Sequence, residues 1–137
     1  LGISEHAAPL LGEGHLDSSS LGLTLTVPVF MATGAPRART DLHCEPIGNL
    51  AIMLGGAKQW LLVPPEEWRY LRPSLSKDGR AYFQSRLPTE RPETTLAHVR
   101  RWMVNTTSGD ALWVPTWTWH RVDYHEGVTA LSASLFH

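Results

Sequence analysis

The chain has 137 residues, 42% of them hydrophobic and 18% charged, with a formal net charge of −1. That size suits one domain with a real core, and that balance gives no bulk attraction to nucleic acid or to a membrane surface. A single cysteine excludes an internal disulfide framework and a cysteine zinc knuckle.

In chain order, residues 1–20 carry Gly, Ser and His with little periodicity and read as an N-terminal arm, with one β domain over residues 21–137. No apolar run approaches the length of a membrane span. No signal peptide or initiating Met is visible, so a soluble chain trimmed at its start is expected. Leu21, Leu23, Leu25, Val27 and Val29 alternate with Gly22, Thr24, Thr26 and Pro28, the pattern of a strand with one buried face. Pro28 implies an early end or an edge position. Thr33-Gly34-Ala35-Pro36 signals a turn. A strand is expected over roughly Thr40 to Glu45, stopped by Pro46. Leu50 to Leu54 follows, then a turn at Gly55-Gly56 and a hairpin partner from Lys58 to Val63.

Pro64-Pro65-Glu66-Glu67-Trp68 opens a short helix, with proline in the first turn and acids near the N-terminus. It ends before Pro73. Residues 73–93, rich in proline and charge, read as a long surface insertion. Further strands are expected at Val99–Val104, Ala111–Val114, His120–Tyr124 and Val128–Phe136, with turns at Ser108-Gly109-Asp110 and Glu126-Gly127. Many short strands and one brief helix predict an all-β sandwich or small barrel.

The chemistry centres on Thr40–Glu45 and on Trp117-Thr118-Trp119-His120. Strand alternation puts His43 and Glu45 on one face and Cys44 on the other. An imidazole and a carboxylate so placed can grip one metal ion, and His120 is the best candidate for a third ligand. Two histidines and one carboxylate on one side of an ion leave its other positions open, which suits non-haem Fe(II) that binds a cosubstrate and dioxygen. Alone, a His-x-Glu on a strand is usually a surface or hydrogen-bonded histidine, and a Trp-rich strand is usually core. The two signatures in this order are what raise the metal reading. Cys44 is expected to be a small buried hydrophobe. His6, His15, His98, His125 and His137 have no spacing that adds ligands, and Arg37-Ala38-Arg39 and Arg100-Arg101 read as solvated faces.

Over residues 21–137 the chain resembles the JmjC and cupin-like family of Fe(II)- and 2-oxoglutarate-dependent oxygenases, particularly its small protein-hydroxylase branch. The resemblance rests on Thr40–Glu45, Asn49-Leu50, Gly56–Pro65, Gly109–Pro115 and Trp119-His120. It implies a double-stranded β-helix, the jelly-roll or cupin barrel, with the metal inside its open end. It implies His43, Glu45 and His120 as iron ligands, and Lys58 as the lysine that meets the distal carboxylate of 2-oxoglutarate. Thr40 matches a threonine supporting that carboxylate, and Asn49 an asparagine near the cosubstrate. Ser134 aligns where close relatives often hold an asparagine. Trp117 and Trp119 are expected to wall the pocket. The implied reaction is hydroxylation of a protein side chain or similar substrate.

Three departures stand out. Glu45 replaces the aspartate usual in this branch, Ser134 reaches less far than asparagine, and the N-terminal part is short. They keep open a catalytically inactive cupin-like interaction or structural module, and a metal-binding cupin with other chemistry. Lys58 separates these, because neither alternative has a carboxylate tail to anchor. Residues 73–93 hold no readable code for a protein or a small-molecule substrate.

Overall fold

The computed structural model describes residues 27–33, 38–76, 81–88 and 91–136. The expected N-terminal arm, the alternation from Leu21 to Thr26 and the Gly34-Ala35-Pro36 turn lie outside the described residues. The strands are β1 (Val29–Thr33), β2 (His43–Cys44), β3 (Asn49–Gly55), β4 (Ala57–Val63), β5 (Pro73–Leu75), β6 (Phe83–Ser85), β7 (Trp102–Thr107), β8 (Ala111–Val114), β9 (Trp119–Tyr124) and β10 (Thr129–Phe136). A 3-10 helix, Pro65–Tyr70, and one α-helical turn, α1 (Pro92–Thr95), complete the described elements.

Two antiparallel sheets face each other. One has the order β1-β10-β3-β8 and the other β5-β6-β2-β9-β4-β7. From β2 onward the chain crosses between layers: β2, β4, β7 and β9 belong to the larger sheet, β3, β8 and β10 to the smaller. This winding is the double-stranded β-helix. β1 begins at Val29, where the expected alternation ends, and is an edge strand; the Pro28 carbonyl accepts the Ser134 N–H at 3.0 Å. Gly56 alone links β3 to β4. Its φ is +72°, and a Cβ there would sit 2.2 Å from the Thr129 carbonyl oxygen, so only glycine makes this turn.

Alternation along the strands builds two cores. Between the sheets lie Ala51, Trp60, Val114 and Val122, with Leu62, Leu112 and Tyr124 packed against them. On the outer face of the larger sheet lie Leu42, Cys44, Leu61, Val63 and Trp119, covered by Leu71, Leu96 and Val99. The physical reason is the run Trp60-Leu61-Leu62-Val63, which is apolar on both faces and therefore needs cover on both. The stretch read as a surface insertion does lie outside the barrel. Part of it is ordered as β5 and β6, which extend the larger sheet beside β2. The guanidinium of Arg101 donates to the carbonyls of Leu96 and Val99 and closes this outer layer. The strand expected from Val99 instead begins at Trp102, because Val99 is committed to the outer core.

Candidate metal centre

β2 and β9 meet with His43 directly opposite His120, their ring centroids 4.3 Å apart. His43 Nδ1 lies 2.7 Å from the Asp41 carbonyl oxygen and His120 Nδ1 lies 3.0 Å from that of Thr118. Each carbonyl accepts the Nδ1 proton, which leaves Nε2 with a free lone pair, the arrangement that orients metal-binding histidines. Glu45 follows β2, and its carbonyl accepts the Trp117 N–H at 2.9 Å. One ligand atom from each of His43, Glu45 and His120 lies within 4.8 Å of the others. His120 is buried, and its pKa is pushed down to about 4 by that burial first and by the neighbouring His43 second, against a smaller upward pull from the Thr118 carbonyl. It is therefore neutral at physiological pH, the form that binds metal. The donor set fits a divalent first-row ion held on one side.

Deeper in the same interior, β4 points Lys58, Trp60 and Leu62 inward. Leu62 sits opposite His120 and Lys58 opposite Tyr124. Lys58 is only 2% exposed. Its Nζ donates to Ser132 Oγ at 2.5 Å and lies 5.5 Å from the centre of the Tyr124 ring. Burial lowers its pKa. Among the described residues no carboxylate pairs with it, and an uncompensated buried ammonium is expensive.

The other residues named from the sequence are distributed as follows. Thr40 is half-buried beside β9, where its Oγ1 accepts the Val122 N–H at 2.9 Å and its hydroxyl hydrogen remains to be donated. Asn49 is buried, and its Oδ1 has no hydrogen-bond partner among the described residues. Ser134 is buried on β10, opposite Ala51 of β3. Ser132 was not singled out from the sequence, although alternation along β10 puts it on the same face as Ser134. Tyr82, whose ring stands edge-on to His43 at 5.5 Å, carried no motif signal.

The tryptophans differ from expectation. Trp119 precedes His120 on β9, so strand alternation turns it to the outer core, where it packs with Cys44 and Val63. The ring of Trp117 lies 6.0 Å from that of Phe83. Both line a cavity on the outer face of the sheet rather than the metal cluster. The inner wall near His120 is Trp60, at 6.4 Å between ring centres.

Comparison with known proteins bears on the fold. The family described as the cupin-like domain matches residues 9–136. HSPB1-associated protein 1 of Rattus norvegicus is 31% identical over 101 residues, covering 70% of this chain and 21% of that protein. Its Homo sapiens counterpart is 29% identical over the same length and with the same coverage. The chain thus spans about a fifth of the length of these relatives. The crystal structure of Drosophila melanogaster CENP-C bound to CAL1 aligns with a TM-score of 0.52 at 5% identity, covering 81% of this chain and 60% of that one, a likeness of fold alone.

Proposed function

The chain belongs to the cupin-like domain family, and from that premise we propose that it is the metal-binding domain of an Fe(II)- and 2-oxoglutarate-dependent dioxygenase of the hydroxylase type. Its substrate is a protein side chain or a similar group. The observation that carries this reading is Lys58, an ammonium buried in the barrel without a carboxylate partner among the described residues, in the same interior as His43, Glu45 and His120. A short dicarboxylate answers both needs, chelating an ion at one end and neutralising the lysine at the other. Bound iron with 2-oxoglutarate and dioxygen supplies the oxidising power for a C–H bond. The protein's own residues do the rest. His43, Glu45 and His120 take one side of the ion and leave the other open. The Thr40 hydroxyl and the Asn49 amide offer hydrogen bonds to the cosubstrate. Trp60, Val122 and Leu112 keep the interior apolar.

A second reading has one specific support. Lys58 already donates to Ser132 and lies against the Tyr124 ring, so it could be a structural lysine in an inactive module. The relatives' name, HSPB1-associated protein, is compatible with an interaction role.

The deciding experiment is a titration of 2-oxoglutarate into anaerobic, Fe(II)- or Mn(II)-loaded protein. A charge-assisted hydrogen bond is worth about 1.5–3 kcal/mol. Lys58→Ala should therefore raise the dissociation constant roughly 10- to 100-fold while metal binding stays nearly unchanged. Lys58→Arg should also be impaired, since a planar fork does not fit a point-charge site. Absence of saturable binding to wild type favours the structural module. Equal binding by wild type and Lys58→Ala removes Lys58 from the site.

A further inference from the structure

The strand that carries His43 is short. β2 has two residues and meets β9 at one register pair, His43 with His120. On its other side β6 pairs it along its whole length, His43 with Gln84 and Cys44 with Phe83. The Ser85 N–H adds a bond to the Leu42 carbonyl at 2.8 Å. Backbone bonds from the Thr40 N–H to Val122 and from the Trp117 N–H to Glu45, both 2.9 Å, tie the flanks. So short a strand keeps its place through its neighbours, and β6 seats His43 as much as β9 does.

The side chains of β6 carry this further. Gln84 stands opposite His43 and shares its face, and by alternation so does Tyr82. A diagonal neighbour on the adjacent strand is within reach of an aromatic side chain. The Tyr82 ring meets the His43 ring edge-on, with centroids 5.5 Å apart and planes at 65°, a favoured arrangement of two aromatic rings. Gln84 Nε2 donates to the Tyr82 hydroxyl at 3.2 Å, and the Ser74 hydroxyl of β5 donates to the Gln84 carbonyl at 3.2 Å. The other face of the hairpin is anchored separately. Phe83 packs on the outer core, and the Ser85 hydroxyl donates to the Leu71 carbonyl at 2.6 Å. Tyr82 therefore stands on a fixed base.

The two histidines differ in how they are held. Each has one Nδ1 bond to a carbonyl, which leaves the ring able to rock about that bond. His120 is 5% exposed, and the packing of the barrel stops the motion. His43 is half-buried. It lies between the His120 ring at 4.3 Å and the Tyr82 ring at 5.5 Å.

We propose that the β5–β6 hairpin is part of the metal centre, with Tyr82 as the positioning residue that holds the His43 imidazole toward the ion. Metal binding and hairpin stability are then coupled through this one contact. Partners that orient a metal-binding histidine tune its affinity, and the coupling is reciprocal: the factor that the seated hairpin contributes to metal affinity is the factor by which bound metal stabilises the hairpin. The inference rests on the metal reading of His43, Glu45 and His120, and not on the cosubstrate.

The test is a titration of the metal-free chain with cobalt(II) alone under argon, read by its d–d absorption and by amide hydrogen exchange. Wild type should bind and His120→Ala should not. Tyr82→Ala should bind roughly three- to tenfold more weakly. Tyr82→Phe, which keeps the ring, should stay within about twofold of wild type. Saturating cobalt should slow exchange of the β6 amides in wild type by a factor similar to that affinity loss, and should not do so in Tyr82→Ala. Equal cobalt affinity in wild type and Tyr82→Ala overturns the inference alone, as does a Tyr82→Phe protein that binds as weakly as Tyr82→Ala. If Tyr82→Ala does not fold, the wild-type exchange pattern decides: protection that leaves out β6 overturns the inference. A wild type that behaves like His120→Ala overturns the metal reading itself, and this inference with it.

Discussion

Both histidines of the cluster commit Nδ1 to a carbonyl two residues upstream, on Asp41 and Thr118. Because the acceptors are backbone atoms, any residue at those positions can serve, so this orienting contact leaves no trace in the sequence. The pair of histidines, by contrast, is legible from parity and from the aromatic stretch ahead of His120. Lys58 has its own hidden partner. Ser132 Oγ accepts from its ammonium, and removing that acceptor strips a buried charge of a hydrogen bond. Ser132→Ala should therefore destabilise the metal-free protein by about 1–3 kcal/mol, measured by urea unfolding. The same substitution in a Lys58→Met background should cost much less, and an equal cost in both backgrounds would mean that the two side chains are not coupled. Ser132 shares a face of β10 with Ser134, but its partner Lys58 stands 74 residues away in the chain. Alternation locates the face of a residue but says nothing of which side chain it meets across the barrel.

At the scale of elements, the strands with strong turn signals were the legible ones. The hairpin at Gly55-Gly56 and the strands at Ala111–Val114 and near His120 and Val128 fall within a residue or two of their expected bounds. β5 and β6 were hidden, since each has three residues and sits among prolines and charges. What orders them is a neighbour, β2, and an apolar outer face, neither of which is local information. The outer layer makes a quantitative prediction. Leu96 is fully buried although it lies just beyond a stretch that reads as surface, and Leu61, on β4, belongs to the same core. Leu61→Ala and Leu96→Ala should each cost about 2–5 kcal/mol, measured by urea unfolding. Leu75→Ala, in β5 but 70% exposed, should stay within about 0.5 kcal/mol. A cost for Leu96→Ala as small as that for Leu75→Ala would show that the 71–99 layer is not packed on the sheet.

For the whole molecule, the interior of the barrel sets stability against function. A fold of this size is held together by a small difference between large terms, yet it carries a buried ammonium beside Ser132 and the Tyr124 ring. Burial lowers the Lys58 pKa below its ordinary 10.5, so the unfolded chain binds this proton more tightly than the folded one. The penalty is therefore absent well above pH 10.5, grows as pH falls from 10.5 toward the lowered pKa and is complete below it. Replacing buried ionic groups with apolar side chains of similar volume is often neutral or stabilising, and a buried ammonium with no carboxylate partner has no ion-pair attraction to lose. Lys58→Met should accordingly raise the unfolding free energy of the metal-free protein at about pH 7. The gap to wild type should close as pH is raised toward the ordinary lysine value. In the same variant 2-oxoglutarate should bind roughly 10- to 100-fold more weakly, the exchange of stability for activity expected of a residue kept for a ligand. Urea unfolding of wild type and Lys58→Met across that pH range decides between the two readings of the barrel. If Lys58 is a structural lysine satisfied by Ser132 and Tyr124, Lys58→Met will destabilise the protein at neutral pH, and the dioxygenase reading loses its main support.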